Sequence, residues 1–252
     1  MKEIAQAYLH EMTGNLTASF HEDQWESIDE LVNKQNQLLV VQRTGWGKSA
    51  VYFIATKLRR SKGFGPTLII SPLLSLIRNQ IDSAAKLGLK VVSYNSSMDN
   101  FERQTAENQI LASQVDAIIV APEQLGQTYF AEEILSRISG DIGLFVVDEA
   151  HCISEWGHDF RPDYGRIVRV LQNMPKNMPV LATTATANNR VINDIKIQLG
   201  ERLSIIRGAL TRKSLQLQNI DISNKSERLA WLAQYLNDIS GTGIIYAKTT
   251  KD

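Results

Sequence analysis

The hydrophobic positions of this chain fall into short continuous runs, not into the alternating pattern of a half-exposed strand. Six runs are rich in Val and Ile, at residues 38–41, 67–71, 90–94, 117–121, 144–147 and 180–183. A strand that is covered on both faces has this pattern, and parallel sheets cover their strands on both faces. The runs therefore predict a parallel β-sheet.

Between the runs, apolar positions recur at the three- and four-residue spacing of amphipathic helices. The predicted helices are residues 23–33, 49–60, 74–87, 100–113, 163–172 and 188–199. Gly88 and Gly200 follow two of these helices and are expected to end them. The alternation of strand and helix predicts a doubly wound α/β domain over residues 1–208, with helices on both faces of the sheet.

The pattern changes after residue 208. Residues 209–225 are polar and strand-like, residues 226–239 have the spacing of an amphipathic helix, and residues 243–247 form one more apolar run. One helix between two strands cannot enclose a hydrophobic core of its own. We therefore expect residues 209–252 to be a linker and the incomplete beginning of a second domain.

Composition narrows the function classes. The 252 residues are 43% hydrophobic and 21% charged, which is typical of a globular protein and not of a disordered or fibrous one. The formal net charge is zero, so contacts with nucleic acid would depend on a local basic patch. The single cysteine, Cys152, cannot form an internal disulfide, and the most apolar stretch, residues 67–77, is too short to span a bilayer. We expect a cytoplasmic protein with no membrane partner.

A glycine-rich loop lies between the first apolar run and the next predicted helix. Residues 42–49 read QRTGWGKS, and Gly45, Gly47, Lys48 and Ser49 have the spacing of a P-loop. In such a loop the backbone N–H groups surround phosphate oxygens, the lysine neutralises the β and γ phosphates, and the hydroxyl binds Mg²⁺. The alternative is a glycine turn beside a surface lysine.

Two residues of this loop depart from the general pattern. Gln42 stands where a glycine is expected, and Trp46 places a large ring inside the loop. The phosphate chemistry of the loop is therefore better defined by the sequence than its shape. Thr44 belongs to the same predicted nucleotide-binding set as the glycines.

Asp148 and Glu149 follow the apolar run 144–147. Ligands of open α/β folds bind at the carboxyl edge of the sheet, where an Asp can hold Mg²⁺ and a neighbouring Glu can orient and deprotonate water. Alternatively, the two carboxylates only cap the next helix. Together with the P-loop they predict hydrolysis of a nucleoside triphosphate, with Lys48, Asp148 and Glu149 as catalytic residues and Ser49 and Asp148 as metal ligands.

The acidic pair opens a long signature, DEAHCISEWGHDFRPDY, at residues 148–164, which resembles motif II and the aromatic-rich loop of RecQ-family DNA helicases. Five other segments resemble the family in the same order: FHEDQ at 20–24, QRTGWGKS at 42–49, SPLLSLIRNQ at 71–80, APEQL at 121–125 and TTATA at 183–187. The resemblance covers roughly residues 16–250. It implies a RecA-like fold, ATP and Mg²⁺ as cofactors, and single-stranded and duplex DNA as partners.

The resemblance also implies a role for Gln24, which matches the glutamine that recognises adenine in this family. An amide can pair with the N6 and N7 edge of adenine. The alternative is a solvated helix residue. The family usually has Arg where His21 stands, and often an aromatic residue where Thr17 stands.

A further set of residues is implied to bind DNA or to couple it to hydrolysis. The set is Ser71, Arg78, His151, Trp156, His158, Phe160, Arg161, Thr184 and Thr186. Bases can stack on the rings of Trp156 and Phe160, and Arg161 can bind phosphate or reach toward the ATP site. The alternative is that the two rings belong to the core.

The remaining members of that set are polar. His151, Thr184 and Thr186 resemble the link between motifs II and III, and the alternative is that they are satisfied buried polar groups. Ser71 and Arg78 suit phosphate contacts, which position a strand without specifying its sequence. For Arg78 the alternative is a solvated surface residue.

Helicases of this kind have two RecA-like lobes, and GIIYAK at residues 243–248 resembles motif IV of the second. The resemblance implies that the complete protein is an ATP-driven DNA helicase, whereas this chain binds nucleotide, hydrolyses it poorly and unwinds nothing. Two alternatives remain: a nucleotide-gated DNA-binding module, and a P-loop protein unrelated to nucleic acid.

Overall fold

The computed structural model describes residues 1–72, 74–157, 159–200, 202–209, 216 and 218–246. The chain divides into two compact units, Met1–Thr211 and Arg212–Asp252. Among the described residues no helix combines the length and the apolar character needed to cross a bilayer.

The first unit contains a seven-stranded, entirely parallel sheet. Its strands are β1 (Gln37–Val41), β2 (Thr67–Ile70), β3 (Val91–Tyr94), β4 (Ala117–Val120), β5 (Leu144–Val147), β6 (Val180–Thr184) and β7 (Ser204–Arg207). The six predicted strands are confirmed within one residue at each end. The seventh, β7, was not predicted, because it is a largely exposed edge strand without a buried apolar run.

Helices cover the sheet. They are α1 (Lys2–Thr13), α2 (Gln24–Val32), α3 (Lys48–Ser61), α4 (Leu74–Ala85), α5 (Asn100–Leu111), α6 (Ser136–Ile138), α7 (Ile167–Gln172) and α8 (Asn189–Leu199). Short 3₁₀ turns lie at Pro122–Gly126, Ser139–Asp141, Ala150–Ile153 and Pro162–Arg166, and a π-helical turn, Phe130–Leu135, leads into α6. The six predicted helices are present, although the one expected at 163–172 begins as a 3₁₀ turn.

The strands separate two hydrophobic clusters, one on each face of the sheet. Along β1, Leu39 and Val41 belong to one cluster, whereas Leu38 and Val40 belong to the other. Successive side chains of a strand point to opposite faces, so a strand covered on both sides must be apolar at every position. This packing explains the continuous runs of the sequence.

The order of the strands across the sheet is β3-β4-β2-β5-β6-β1-β7. β6 therefore lies between β1, which leads into the P-loop, and β5, which leads into the acidic pair. Neighbouring strands are roughly 4.8 Å apart, so the carboxyl ends of β1 and β5 are about 10 Å apart. The topology brings segments that are distant in sequence to one edge of the sheet.

The second unit contains α9 (Lys225–Tyr235) and a 3₁₀ turn, Leu236–Asp238. The side-chain oxygen of Asn224 accepts a hydrogen bond from the Ser226 N–H and caps this predicted helix. The prediction of a strand at 243–247 is wrong for residues 243–246, which are exposed and form no strand; Ala247 lies outside the described residues. Residues 218–224 also form no strand, and residues 210–215 and 217 of the predicted strand-like segment lie outside the described part. A parallel strand needs neighbours on which to pair and pack, and this unit supplies none among its described residues.

Candidate nucleotide site and nucleic-acid interface

The P-loop connects β1 to α3, which begins at Lys48. Gly47 has a φ of 95°, and a Cβ atom there would lie 2.6 Å from Nε2 of Gln24. Both its conformation and its surroundings therefore require glycine. The ring of Trp46 is buried in the core, and its indole N–H donates a 3.1 Å hydrogen bond to the carbonyl of Glu22. The large ring anchors the loop.

Gln24 is the first residue of α2 and lies directly beside this loop. Its side chain is only 3% exposed, so it is not a solvated helix residue. Its Oε1 accepts a 2.8 Å hydrogen bond from the backbone N–H of His21, and its amide nitrogen donates at 2.7 Å to the carbonyl of Trp46. In this conformation Gln24 supports the P-loop, and recognition of adenine stays a prediction. His21 and Thr17 are both exposed.

Gln42 ties the start of the P-loop to three other segments, a role that the sequence did not indicate. Its backbone N–H donates to the carbonyl of Thr184, and its side-chain amide donates to Asp23 at 3.4 Å. The same amide packs against Gly208, where a Cβ atom would lie 2.3 Å away. The backbone carbonyl of Gln42 accepts a 3.1 Å hydrogen bond from Nζ of Lys48. Gln42 therefore fixes the loop, and its side-chain contacts with Asp23 and Gly208 are ones that a glycine cannot make.

Lys48 and the acidic pair influence each other electrostatically. Burial lowers the pKa of the Lys48 ammonium, while the negative charges of Glu149 and Asp148 act in the opposite direction. Lys48, Asp148 and Glu149 are thus brought together at the edge that the strand order predicts. Ser49 is half-buried, and Thr44 and Gly45 are exposed at the mouth of the loop.

Asp148 is buried and held by several donors. Its Oδ1 accepts a 2.6 Å hydrogen bond from the Thr183 hydroxyl, and its Oδ2 accepts one of 3.4 Å from the amide of Gln80. Its backbone carbonyl accepts from the Tyr164 hydroxyl at 2.9 Å. Sequence reasoning missed these three partners. A polar residue closing an apolar strand, as Thr183 does, was the available signal for one of them.

Burial also raises the pKa of Asp148, and the charge of Glu149 adds to this effect. The hydrogen bond from Thr183 and the charge of Lys48 act against it. A buried carboxylate whose ionised form is disfavoured gains stability from a nearby cation. The site is therefore suited to a divalent metal ion.

Glu149 adopts a left-handed backbone conformation with φ 49° and ψ 48°. A non-glycine residue in this region is strained, and such residues are concentrated at functional sites. The Glu149 carboxylate lies 3.2 Å from Nδ1 of His151. The turn thus directs the carboxylate toward the polar groups that follow it.

A buried polar link joins the acidic pair to the end of β6. Nδ1 of His151 lies 2.9 Å from the Thr184 hydroxyl, and that hydroxyl donates to the carbonyl of Thr186 at 3.0 Å. These contacts connect the acidic pair to the end of β6, and their role in coupling nucleotide state to DNA stays a prediction.

The aromatic segment, residues 154–161, follows this link. Trp156 is 64% exposed and Phe160 is 42% exposed, so neither ring belongs to the core. Arg161 donates to the carbonyl of Pro72 at 3.3 Å and pairs with Asp159 at 3.3 Å. It contacts the segment that follows β2. His158 lies outside the described residues.

The cavity between the P-loop and the aromatic segment has a volume of about 280 Å³. Its lining comes from both segments and from the residues after β2 and β6: Thr44, Pro72, Glu149, His151, Asp159, Ala185 and Thr186. The nucleotide edge and the aromatic segment therefore share one cleft.

Two other predicted DNA contacts have different surroundings. Ser71 is fully buried, and its hydroxyl has no hydrogen-bond partner among the described residues. That hydroxyl cannot contact a strand in this conformation. Arg78 is exposed on α4 beside a cavity of about 460 Å³ that Phe101 also lines.

The family model for the DEAD/DEAH box helicases matches residues 21–195, which include the P-loop, the acidic pair, the aromatic segment and the end of β6. The chain belongs to the DEAD/DEAH box helicase family. The family match covers both halves of the cleft, so its residues lie inside a helicase domain.

Relatives of this helicase chain support the resemblance found in the sequence. It is 33% identical over 236 residues to the probable ATP-dependent DNA helicase RecS of Bacillus subtilis, covering 92% of this chain and 45% of that protein. It is 31% identical over 250 residues to the ATP-dependent DNA helicase RecQ of Pasteurella multocida, covering 99% of this chain and 38% of that protein. The chain therefore spans less than half the length of these curated relatives.

Solved structures share the fold. The hypothetical ATP-dependent RNA helicase of Sulfolobus tokodaii superposes with a TM-score of 0.63 at 20% identity, over 82% of this chain and 57% of that one. The DUF1998 helicase MrfA superposes with a TM-score of 0.70 at 15% identity, over 99% of this chain and 39% of that one. The predicted RecA-like α/β fold is confirmed.

Proposed function

We propose that this chain is the ATP-binding motor lobe of a RecQ-like DNA helicase. In the complete protein, hydrolysis of ATP would be coupled to translocation on single-stranded DNA and to unwinding of duplex DNA. One observation carries the proposal: Thr183 bonds to Asp148 while its neighbour Thr184 contacts His151. Adjacent residues of β6 thereby connect the catalytic carboxylate to the base of the aromatic segment.

The donor set of the cleft fits ATP and Mg²⁺. The backbone N–H groups of the loop at Thr44, Gly45 and Gly47, together with Lys48, would hold the phosphates. Ser49 and Asp148 would hold Mg²⁺, which commonly takes one or two protein oxygens in addition to phosphate oxygens. When bound, the metal ion supplies charge neutralisation on the phosphates.

The carboxamide of Gln24 and the carboxylate of Glu149 complete the proposed nucleotide site. Gln24 would recognise adenine after exchanging its contact with the Trp46 carbonyl. Glu149 would orient the attacking water and accept its proton, because its carboxylate adjoins the Mg²⁺ ligand and is held by His151.

The aromatic segment is the proposed contact with DNA. The exposed rings of Trp156 and Phe160 offer faces on which unpaired bases can stack, and this contact tolerates any sequence. Arg161, within the aromatic segment, and Arg78, beside the separate cavity on α4, are exposed or partly exposed cations and would contact phosphates. Relatives named as DNA helicases favour DNA over RNA, and we propose that the complete protein acts in the cytoplasm.

The lobe proposed here is residues 1–208, followed by a linker and the beginning of a second RecA-like lobe at 209–252. A second lobe would supply arginines that stabilise the transferring phosphoryl group, a contribution of roughly 10³ to 10⁵ in rate. We therefore propose that this chain alone binds nucleotide and hydrolyses it weakly. On its own it would act as a nucleotide-gated DNA-binding module.

Binding of a fluorescent oligo(dT) to the purified chain, with and without Mg²⁺ and a non-hydrolysable ATP analogue, tests the proposal. We expect binding that changes with the nucleotide, and loss of that response in Lys48→Ala. Absence of DNA binding in every nucleotide state would favour a P-loop protein unrelated to nucleic acid. Efficient duplex unwinding by this chain alone would contradict its assignment as a single motor lobe.

A further inference from the structure

Two side chains of α8 contact the aromatic segment. The guanidinium of Arg190 lies over the ring of Trp156, 5.0 Å from its centroid. The carboxylate of Asp194 accepts a short hydrogen bond from the hydroxyl of Ser154. Residues four apart lie on the same face of a helix, so Arg190 and Asp194 present one surface to the segment.

Ser154 determines the shape of the turn that carries Trp156. It is buried, its hydroxyl also accepts a 3.1 Å hydrogen bond from the Trp156 N–H, and its carbonyl accepts one of 2.9 Å from Gly157. A hydrogen bond to an ionised carboxylate is roughly twice as strong as one between neutral groups. Asp194 therefore fixes the hydroxyl that in turn fixes the backbone of Trp156.

Arg190 limits which face of the Trp156 ring is open to a stacking base. The guanidinium occupies one face of the Trp156 ring, while the side chain as a whole remains 64% exposed. A base can then stack only on the opposite face, and the positive charge lies next to the nucleotide that stacks there. Arginine is suited to this place because its planar group stacks on aromatic rings and binds phosphate.

Residues 185–188 join the end of β6 to the start of α8, and within them the N–H of Thr186 donates to the Thr184 hydroxyl at 3.2 Å. Asn188 caps the helix by accepting hydrogen bonds from the N–H groups of Arg190 and Val191. Arg207 of β7 donates to the carbonyl of Ala187 at 3.2 Å and so holds the residue that precedes the cap. A displacement of the β6 end would therefore reach both Arg190 and Asp194 through one helix.

We propose that Arg190 and Asp194 are positioning residues that hold Trp156 for one-sided stacking of a DNA base, and that α8 links the β6 end to this contact. The proposal rests on the proposed function, because it assigns the geometry of the same DNA site. It adds a helix outside the aromatic segment to the parts that determine DNA affinity.

If Arg190 only stabilised the fold, its removal would lower the thermal stability of the chain. An exposed cation–π contact contributes little to folding, so removal of the Arg190 guanidinium should leave the thermal unfolding of the chain nearly unchanged. It should, however, free the ring and uncover its second face. Exposure of the Trp156 ring is therefore the discriminating observation.

The first test needs no DNA. Acrylamide quenching of the Trp156 fluorescence is obtained by difference between each variant and the same variant carrying Trp156→Phe. Quenching should increase in Arg190→Gln and in Asp194→Asn, and should not change in Lys196→Gln, which removes a positive charge from the same helix. Equal quenching in Arg190→Gln and Lys196→Gln would overturn the proposal.

The second test measures oligo(dT) affinity at one fixed salt concentration. Arg190→Gln should weaken binding by about two- to fivefold more than Lys196→Gln does, and Arg190→Lys should lie between Arg190→Gln and the unchanged chain. If Trp156→Ala weakens binding and Arg190→Gln does not, this proposal fails and the proposed function stands. If the unchanged chain binds no DNA, the proposed function fails first and the stacking role fails with it.

Discussion

The hydroxyl of Thr183 donates a 2.6 Å hydrogen bond to the carboxylate of Asp148. This contact joins the strand between β1 and β5 to the residue proposed to hold Mg²⁺. Thr183 is buried, so no solvent would replace the bond if it were lost. The polar end of β6 therefore contacts the proposed catalytic edge as well as the residues proposed to couple it to DNA.

Thr183→Val keeps the shape of the side chain and removes this donor. We expect a loss of about 1–3 kcal/mol in the free energy of unfolding, because the buried Asp148 carboxylate loses a charge-assisted bond. The pKa of Asp148 should rise further, since Thr183 now lowers it. Urea unfolding at pH 7 measures the first effect. Thr183→Ser keeps the hydroxyl and is the control; equal losses in both variants would contradict this reason.

Asp148→Asn should increase stability at neutral pH while abolishing Mg²⁺-dependent nucleotide binding. The pKa of Asp148 is raised above its ordinary value of 3.8, chiefly by burial, so the folded chain binds this proton more tightly than the unfolded chain. The resulting destabilisation is absent at low pH, develops as the pH rises through this raised pKa, and persists at pH 7. Melting temperatures from pH 4 to pH 7 check the sign.

The opposite pH trend would contradict the electrostatic reason for that result. If the melting temperature of Asp148→Asn fell further below that of the unchanged chain as the pH rose, ionisation of Asp148 would be stabilising. Glu149→Gln leaves the Asp148 carboxylate in place and removes a charge that raises its pKa, so the pH-dependent destabilisation should become smaller without disappearing.

Gly157→Ala should distort the aromatic segment. A Cβ atom at this position would lie 2.2 Å from the carbonyl oxygen of His151, which is backbone and cannot move alone. We expect a destabilisation of about 1–3 kcal/mol and weaker oligo(dT) binding, with nucleotide affinity retained. Gly165→Ala is the control, because a Cβ atom there meets nothing within 4 Å. Equal behaviour of the two variants in DNA binding would contradict the close approach.

Cys152 should be unreactive in the native chain. Its side chain is buried, and burial raises the pKa of its thiol to about 12. Since the thiolate is the nucleophile, an aromatic disulfide reagent at pH 8 should modify it only after unfolding. The measurement is one equivalent of released thiolate in urea and almost none without urea. Rapid labelling of the folded chain would show that the segment after Asp148 opens readily.

The parallel sheet could be predicted from sequence because burial on both faces makes each strand apolar throughout. The same reasoning missed β7, an edge strand with little burial. It also missed α1, although Ala5, Leu9 and Met12 of this helix are buried. The sequence pattern also predicted a strand at 243–247, on the basis of apolar character alone. An apolar run forms a strand only where neighbouring strands can pair with it.

Residues of the candidate site could be predicted when one continuous segment of sequence carries the groups that the chemistry needs. Lys48, Asp148 and Glu149 were identified because their residue types follow strand ends. Residues that act across the fold were not: Gln42, Tyr164 and Arg190 become relevant only through contacts between distant segments. Strand order, which sequence patterns do not encode locally, determines those contacts.

Burial of the Trp46 ring and its hydrogen bond to Glu22 hold the proposed phosphate-binding loop in one conformation. Association with a preorganised loop loses little conformational entropy, so more of the contact energy remains as affinity. Truncating the indole would restore that entropic cost, even though the ring touches no phosphate. The aromatic residue that departs from the usual loop sequence would then increase the nucleotide affinity of the proposed motor lobe.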